Sequence, residues 1–275
     1  MIENQKENTN WEELRQAIVD EHNKLRSDPL SYIPILEAQL EYFKDSVLYR
    51  PGETPVQTYE GKKAYLKAIE YLKTVEPAEG LTLHEALTAS ANDHAADIGP
   101  KGLVSHEGTD GRNLSDRIES HSEWEVACGE NIDFGSRNAV NIIVNLLVDD
   151  GVESRPKRNH LFNPKFRFVG VGIHEHKDYD YVVVLDYAGG LREKGTPYYD
   201  YKNYKFDYEK FVKETAKDKR PKTSFQLDDP DAPYETKSVK IVKENRLFDN
   251  RLHKITKKYY TLQDGTIHIV EVEDV

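Results

Sequence analysis

Apolar residues recur every three to four positions in several stretches of the chain, which is the spacing of one helix face. The stretches predict helices over about 11–28, 31–45, 62–75, 82–98 and 137–148, with a shorter one from Ser115. Pro29 and Gly99 stand where two of these helices should stop. Apolar residues surround most of the 137–148 helix, so we expect it to be buried.

Polar side chains at three of these starts can cap the helices. Asn10 with Glu13, and Thr82 with Glu85, have the spacing of a capping box. Ser136 can cap the 137–148 helix. The sequence therefore predicts helix starts at these three positions.

Strand patterns appear later in the chain. Phe166–His174 and Tyr181–Ala188 are rich in Val, Ile and Phe, and a polar turn at 177–180 joins them. Residues 46–61 are rich in turn formers and are interpreted as a loop.

The two ends of the chain differ from the middle. Residues 1–9 form a polar tail, and residues 10–190 hold the predicted helices and strands. Residues 191–237 are tyrosine-rich, charged and interrupted by prolines, which predicts an extended arm or linker. Residues 238–275 recover strand character, and Asp264-Gly265 is a hairpin signal.

Composition narrows the class of protein. A chain of 275 residues can hold one domain of about 150–200 residues plus an extension. No run of 18 apolar residues predicts a membrane helix, and residues 1–15 lack the pattern of a signal peptide. One cysteine, Cys128, excludes an intrachain disulfide and fits a reducing, cytoplasmic compartment. A net charge of −11 argues against general binding to nucleic acids or anionic membranes.

Four stretches in order give a family resemblance. They are "EHNKLRSDP" at 21–29, "SHEGTDG" at 105–111, "CGENI" at 128–132 and "DDGVESRPKRNHLFNPKFRFVGVG" at 149–172. Together they resemble the CAP superfamily of cysteine-rich secretory, antigen 5, pathogenesis-related-1 and SCP-like proteins. The resemblance covers about 10–190 and implies an α+β fold, an α-β-α sandwich with a small antiparallel sheet. The C-terminal extension would end in a β-hairpin.

The resemblance implies a cleft lined by two histidines and two acids. Position by position, these fall on His106, Glu130, an acid at Asp149 or Asp150, and Lys157. The second histidine of the family is thus a lysine here. His160 follows three residues later, about 4.5 Å further along the axis if the segment is helical, so it is a displaced substitute ligand.

Structural roles compete with the chemical ones. His106 can be a loop residue bonded to backbone, and Glu130 can cap local N–H groups. The Lys157 ammonium can pair with Glu130 or Asp149 and stand where relatives hold a cation. His22 and His94 lie on apolar helix faces and Cys128 is interpreted as a packed thiol, so we expect these three in the core.

Two hypotheses follow. The first is a non-catalytic CAP-like binding or scaffold protein of an intracellular assembly, such as a cytoskeletal or ciliary one. It would have no cofactor, a degenerate metal cleft, no nucleic-acid partner, and a protein partner bound through residues 191–275. The second is a hydrolase dependent on a divalent metal, or a lipid or sterol binder, using His106, Glu130, Asp149 and His160. A zinc-bound water needs about three protein ligands, so the approach of these side chains to one point separates the hypotheses.

Overall fold

The computed structural model describes residues 10–194, 236–248, 251–263 and 265–274. It divides into two compact units. The core unit comprises Met1–Arg192 together with Asp264–Ile267, and the tail unit comprises Glu193–Gln263 and His268–Val275. Most of the predicted arm at 191–237, and the N-terminal tail at 1–9, lie outside the described residues.

The core unit contains seven α-helices and one 3-10 helix among its described residues. The 3-10 helix is Pro29–Tyr32. The α-helices are α1 Trp11–Ser27, α2 Ile33–Leu40, α3 Lys62–Leu72, α4 Glu85–Ile98, α5 Leu114–His121, α6 Ala139–Val148 and α7 Pro156–Leu161. The predicted α+β class is confirmed.

The strands fall into three groups. Short strands β1 Phe43–Lys44, β2 Val47–Leu48 and β3 Val56–Gln57 form a small separate sheet. The core sheet has the order β4-β6-β7-β5, formed by β4 Thr82–Leu83, β5 Glu123–Phe134, β6 Phe168–His176 and β7 Asp180–Arg192. The tail holds β8 Thr236–Phe248, β9 Arg251–Leu262 and β10 Ile267–Asp274.

Helices cover both faces of the core sheet, as the resemblance implies. On one face α1, α3, α6 and α7 pack against Val169, Val171 and Leu185. On the other, Ala91 and Ala95 of α4 pack against the side chains of Ile132, Val182 and Val184. Because successive strand residues point to opposite faces, odd and even positions of β5 serve different layers.

Two glycines let α4 approach β6 closely. A Cβ on Gly170 would lie 2.0 Å from the carbonyl carbon of Leu87, and one on Gly172 would lie 2.2 Å from that of Ala91. These contacts are with helix backbone, which cannot yield as a flexible side chain would. Gly-Val-Gly therefore fixes the separation of the α4 layer from the sheet.

Two predicted helix starts are wrong, because the residues expected to cap the helices form other hydrogen bonds. Thr82 does not open α4, because Thr82-Leu83 pairs in parallel with β6 and the cap is His84. Ser136 does not cap α6, because its hydroxyl donates to Glu53 and Asn138 accepts from the Asn141 N–H instead.

Short strands also interrupt other predicted elements. The predicted 31–45 helix ends at Leu40, and β1 follows. The predicted loop at 46–61 holds β2 and β3. The sheet is mixed rather than purely antiparallel, because β4 runs parallel to β6.

The pattern did not predict β5, the strand that carries Glu130. It is almost wholly buried, so polar and apolar residues do not alternate along it. Its pairing with β7 is antiparallel and shifts register between Glu125 and Cys128.

In the described part of the chain no helix is long and apolar enough to cross a bilayer.

The tail contains three strands, in agreement with the strand character predicted for residues 238–275. β8 and β9 are antiparallel partners from Thr236 to Phe248. Gly265, with a φ of +85°, lies between β9 and β10, where a left-handed turn conformation favours glycine. The predicted turn at 264–265 thus joins these two strands.

Candidate functional site

His106 and Glu130 form an ion-pair geometry at the surface end of the site. The Nδ1 atom of His106 lies 2.6 Å from Glu130 Oε1. The His106 side chain is 62% exposed while that of Glu130 is 3% exposed, so a buried carboxylate holds a surface imidazole. Arg117 donates from one guanidinium nitrogen to Glu130 Oε2 and from another to the His106 carbonyl oxygen at 3.1 Å.

A second buried acid lies behind Glu130. Asp186 is the direct partner of Glu130 in the β5–β7 register, and its Oδ2 accepts from the Ser90 hydroxyl at 2.6 Å. Asp186 Oδ1 is buried and has no hydrogen-bond partner among the described residues, so this carboxyl group lies in surroundings that oppose its charged form.

The pKa values of Glu130 and Asp186 shift in opposite directions. Burial alone would raise the pKa of Glu130, but the His106 hydrogen bond and the Arg117 charge outweigh it and hold the pKa below its usual value. Burial, followed by the neighbouring Glu130 carboxylate, raises the pKa of Asp186 well above its usual value. Of the two acids, the surroundings of Glu130 therefore favour its charged form and those of Asp186 its protonated form.

Lys157 and Asp149 lie on the other side of β5. The Lys157 ammonium donates to the Ile132 carbonyl oxygen at 2.9 Å, and its backbone N–H donates to Asp149 Oδ2 at 2.9 Å. Burial raises the pKa of Asp149, and the Lys157 charge opposes that rise. Asp150 instead accepts from the backbone N–H groups of Tyr59 and Glu60, ahead of α3.

The core sheet thus separates the four positions that the resemblance groups in one cleft. The Glu130 side chain faces the α4–α5 layer, where it contacts His106 and Arg117. Asn131 points the opposite way and donates to the Lys157 carbonyl oxygen at 3.1 Å. The Lys157 ammonium donates to the Ile132 carbonyl oxygen rather than to either acid considered for it, and only its backbone N–H donates to Asp149. The Glu130 carboxylate bonds to His106 and Arg117 instead.

Both ring nitrogens of His160 are engaged within the protein. Nδ1 faces two acceptors, Asn131 Oδ1 at 3.0 Å and the Glu130 carbonyl oxygen at 3.2 Å, so it carries the proton. Nε2 then accepts from the Thr266 hydroxyl at 3.0 Å. Thr266 is fully buried and belongs to the core unit. His160 therefore has no nitrogen lone pair left for a metal.

Aromatic packing holds the His160 ring in place. It meets Phe166 edge-on at 5.8 Å between centroids, and Phe166 stacks on Tyr187 at 5.0 Å. A Cβ on Gly129 would lie 2.7 Å from Phe166 Cζ and 3.3 Å from His160 Cε1. The glycine of the Cys-Gly-Glu-Asn stretch therefore makes room for these two rings.

Asp133 is a further buried acid, on the Lys157 side of β5. Its Oδ1 accepts from Asn145 at 3.0 Å, while its Oδ2 is buried with no hydrogen-bond partner in the described residues. Burial raises the pKa of Asp133 to about 7, and the Lys157 charge limits the rise. The ammonium of Lys157 thus stabilises carboxylates at both Asp133 and Asp149.

We expect Asp133 to make stability depend on pH. Because its pKa is higher in the folded state, the folded chain retains a proton that the unfolded chain releases between about pH 4 and 7. The free energy of unfolding should therefore fall as pH rises through this interval, by up to about 1.4 kcal/mol per pH unit. Urea unfolding at pH 5, 6 and 7 should show a smaller decline for Asp133→Asn. Asp45→Asn, at an exposed position, should decline like the unsubstituted chain, and equal slopes for all three would contradict the assignment.

The predicted core residues are buried. His22 is buried in the core, where its Nε2 lies 3.1 Å from the Leu161 carbonyl oxygen. Burial lowers the pKa of His22 to about 3. His94 is buried with its Nε2 2.8 Å from the Ser105 carbonyl oxygen. Burial also raises the pKa of the Cys128 thiol well above its usual value, which makes it a poor nucleophile.

These residues do not fit a metal centre. Within the described part of the chain no three His, Cys, Asp or Glu side chains converge so as to hold a metal ion. A protonated lysine has no lone pair to offer, so of the four side chains considered as ligands only the exposed His106 ring, held by Glu130 through Nδ1, keeps a nitrogen for a metal. Asp149 and His160 are committed to internal hydrogen bonds.

Sequence reasoning missed Arg117 and Asp186, although each breaks a pattern. Arg117 falls beside Leu114 and Ile118 on the buried face of α5, where an apolar residue is expected. Asp186 interrupts the apolar run of β7. A charged residue at an apolar position was the available signal for both.

Comparison with known proteins agrees with the fold. The model of the cysteine-rich secretory protein family (CAP) matches residues 19–187. An extracellular protein containing a SCP domain from Bacillus anthracis is 19% identical, with a TM-score of 0.33 and coverage of 48% of this chain and 38% of that one. An outer surface protein from Borrelia burgdorferi is 17% identical, with a TM-score of 0.35 and coverage of 48% and 92%.

The present chain thus spans 38% of the Bacillus anthracis protein. No curated protein sequence matches it. The family match covers more than half of the 275 residues and includes His106, Glu130, Asp149 and Lys157. The chain belongs to the cysteine-rich secretory protein (CAP) family.

Proposed function

We propose that this protein is a non-catalytic CAP-domain binding protein that works within an intracellular protein assembly. Its partner binds through residues 191–275. One observation carries the proposal: at the family cleft positions only the His106 side chain is exposed, while those of Glu130 and Lys157, and the nearby His160, make internal contacts. Glu130 binds Arg117 and His106, His160 binds Asn131 and Thr266, and Lys157 binds the Ile132 carbonyl oxygen.

Lys157 supports the proposal in a second way. Its ammonium supplies a fixed positive charge beside two buried acids, Asp133 and Asp149. A buried charge of this kind holds geometry more than it adds stability. The lysine thus acts as a built-in cation, and the fold needs no metal there.

The proposal predicts no tight zinc binding. Isothermal titration of the full chain with Zn²⁺ should show no stoichiometric binding in the micromolar range. Lys157→His should gain affinity, because it places an imidazole beside the acids that the lysine charge now stabilises. Lys157→Gln, which removes the charge without adding a ligand, is the matched control and should not gain. Stoichiometric binding by the unsubstituted chain that is lost in His106→Ala would overturn the proposal.

One observation favours the second hypothesis, an enzyme or small-ligand binder. Glu130 holds the His106 ring by Nδ1 while most of the side chain is exposed, which is how a carboxylate orients a general base. The base has no evident nucleophile beside it, because the one cysteine is fully buried. Turnover of an ester substrate that disappears in His106→Gln would favour this alternative.

A further inference from the structure

The two strands β8 and β9 differ in charge from the rest of the chain. Residues 236–262 contain eight Lys or Arg and two Asp or Glu, a net charge of +6. The whole chain carries −11, so the other 248 residues carry −17. This basic ribbon, defined as residues 236–262, is therefore a local cationic surface on an acidic protein.

The ribbon also presents an open strand edge. β8 is the end strand of the tail order β10-β9-β8, and among the described strands none pairs with its outer edge. Backbone N–H and C=O groups along such an edge can pair with an added strand. At 13 residues, β8 offers about 40 Å of edge.

Lysines flank this edge on both faces. Lys243 shares one face with Ile241 and Lys240 lies on the other, because side chains alternate along a strand, while Lys237 lies at the register shift between Thr236 and Ser238. All three lysines are exposed, and Ile241 is 56% exposed. Lys240 Nζ lies 5.8 Å from the centre of the Tyr259 ring on β9. A strand added at β8 would thus meet positive charge on each side and one apolar contact.

Lysines on an edge strand also discourage aggregation, which is an alternative explanation for the lysines of β8. It does not account for the cations on β9, which is covered by β8 on one side. Lys254, Lys257 and Lys258 all lie on β9, with Lys254 exposed. The positive charge therefore belongs to the ribbon as a surface and not only to its edge.

Charge and shape together select the partner. The Debye length at physiological salt is about 8 Å, so the ribbon attracts anions that come within that range. A DNA duplex or a membrane offers phosphates but no peptide backbone that could continue the β8 ladder. An extended peptide of about ten residues is roughly 33 Å long and stays within the ribbon.

We propose that the β8 edge binds an acidic, extended peptide segment of a partner protein as an added strand. Its carboxylates pair with Lys237, Lys240 and Lys243, and its backbone continues the β8 ladder. The inference rests on the proposed function, since it names the partner class for residues 191–275.

Fluorescence anisotropy with the full-length chain tests this. The probe is a labelled (Glu-Thr)5 peptide, and (Glu-Pro-Pro)5 is the control with the same number of carboxylates but few backbone donors and a polyproline conformation. We expect (Glu-Thr)5 to bind at least tenfold more tightly than the control and more weakly at 200 mM than at 50 mM NaCl. Lys237→Glu/Lys240→Glu/Lys243→Glu should weaken binding at least tenfold.

The matched variant is Lys44→Glu/Lys62→Glu/Lys63→Glu, which makes the same change in net charge at three exposed lysines of the core unit. It should bind within twofold of the unsubstituted chain. Equal affinity for both peptides would overturn strand addition. Tighter binding of a 20-base-pair DNA duplex or of phosphatidylserine vesicles would overturn the partner class. Failure of every probe would overturn the inference, while the zinc titration would still decide the proposed function separately.

Discussion

Replacing Ile143 by aspartate is expected to leave the core unit unfolded. Ile143 is fully buried in α6, at the centre of the larger apolar cluster. Burying an unpaired carboxyl costs several kcal/mol, and the lost apolar contacts add about 3 kcal/mol. The sum approaches the whole stability of a typical domain, about 5–15 kcal/mol. Far-UV circular dichroism and size-exclusion chromatography should show a loss of compact structure.

Leu66→Asp provides the control for that substitution. Leu66 lies in α3, another helix of the same layer, but it is 51% exposed. The new carboxyl stays in water there, so the thermal midpoint should move by only a few degrees. A folded, soluble Ile143→Asp protein with an ordinary midpoint would show that α6 does not occupy the core.

Arg117→Ala is expected to cost about 3–5 kcal/mol of stability, because it leaves the buried acid pair without its cation. The side chains of Arg117 and Glu130 are 2% and 3% exposed, so water cannot replace the guanidinium without opening the site. Urea unfolding followed by tryptophan fluorescence would measure the loss. Arg112→Ala, at an exposed arginine paired with Asp110, should leave the urea midpoint almost unchanged, because water replaces the lost contact.

A double mutant separates charge from packing in that result. If the uncompensated Glu130 charge causes the loss, Arg117→Ala/Glu130→Gln should be more stable than Arg117→Ala alone. If only the arginine packing matters, the second substitution should add a further loss. Equal stability of Arg117→Ala and the unsubstituted chain would contradict the role assigned to the buried pair.

The helices were predictable because each needs only local information. α1 and α3 were expected from one apolar face each, and their observed bounds end within three residues of the expectation. The family motifs placed Glu130 beside His106 although 24 residues separate them. Local periodicity thus predicted the helices, and the family motifs predicted the contact between His106 and Glu130.

β5 and the division of the site could not be predicted in the same way. β5 is buried on both faces, so its polar residues Glu130, Asn131 and Asp133 hid the strand pattern. Which face Lys157 would occupy depends on the strand that α7 packs against. The contact between His160 and Thr266 joins the family match to a residue far beyond its end at 187, so no motif included it.

That last contact has a consequence for biosynthesis. His160 and Thr266 are 106 residues apart, which at about 5–20 residues per second means roughly 5–20 seconds of translation between them. During that interval the nascent domain can form its sheet and helices while Nε2 of a buried histidine lacks its partner. Completion of the core therefore waits until Thr266 has been synthesised, so translation of this later segment sets when the newly made core reaches its final state.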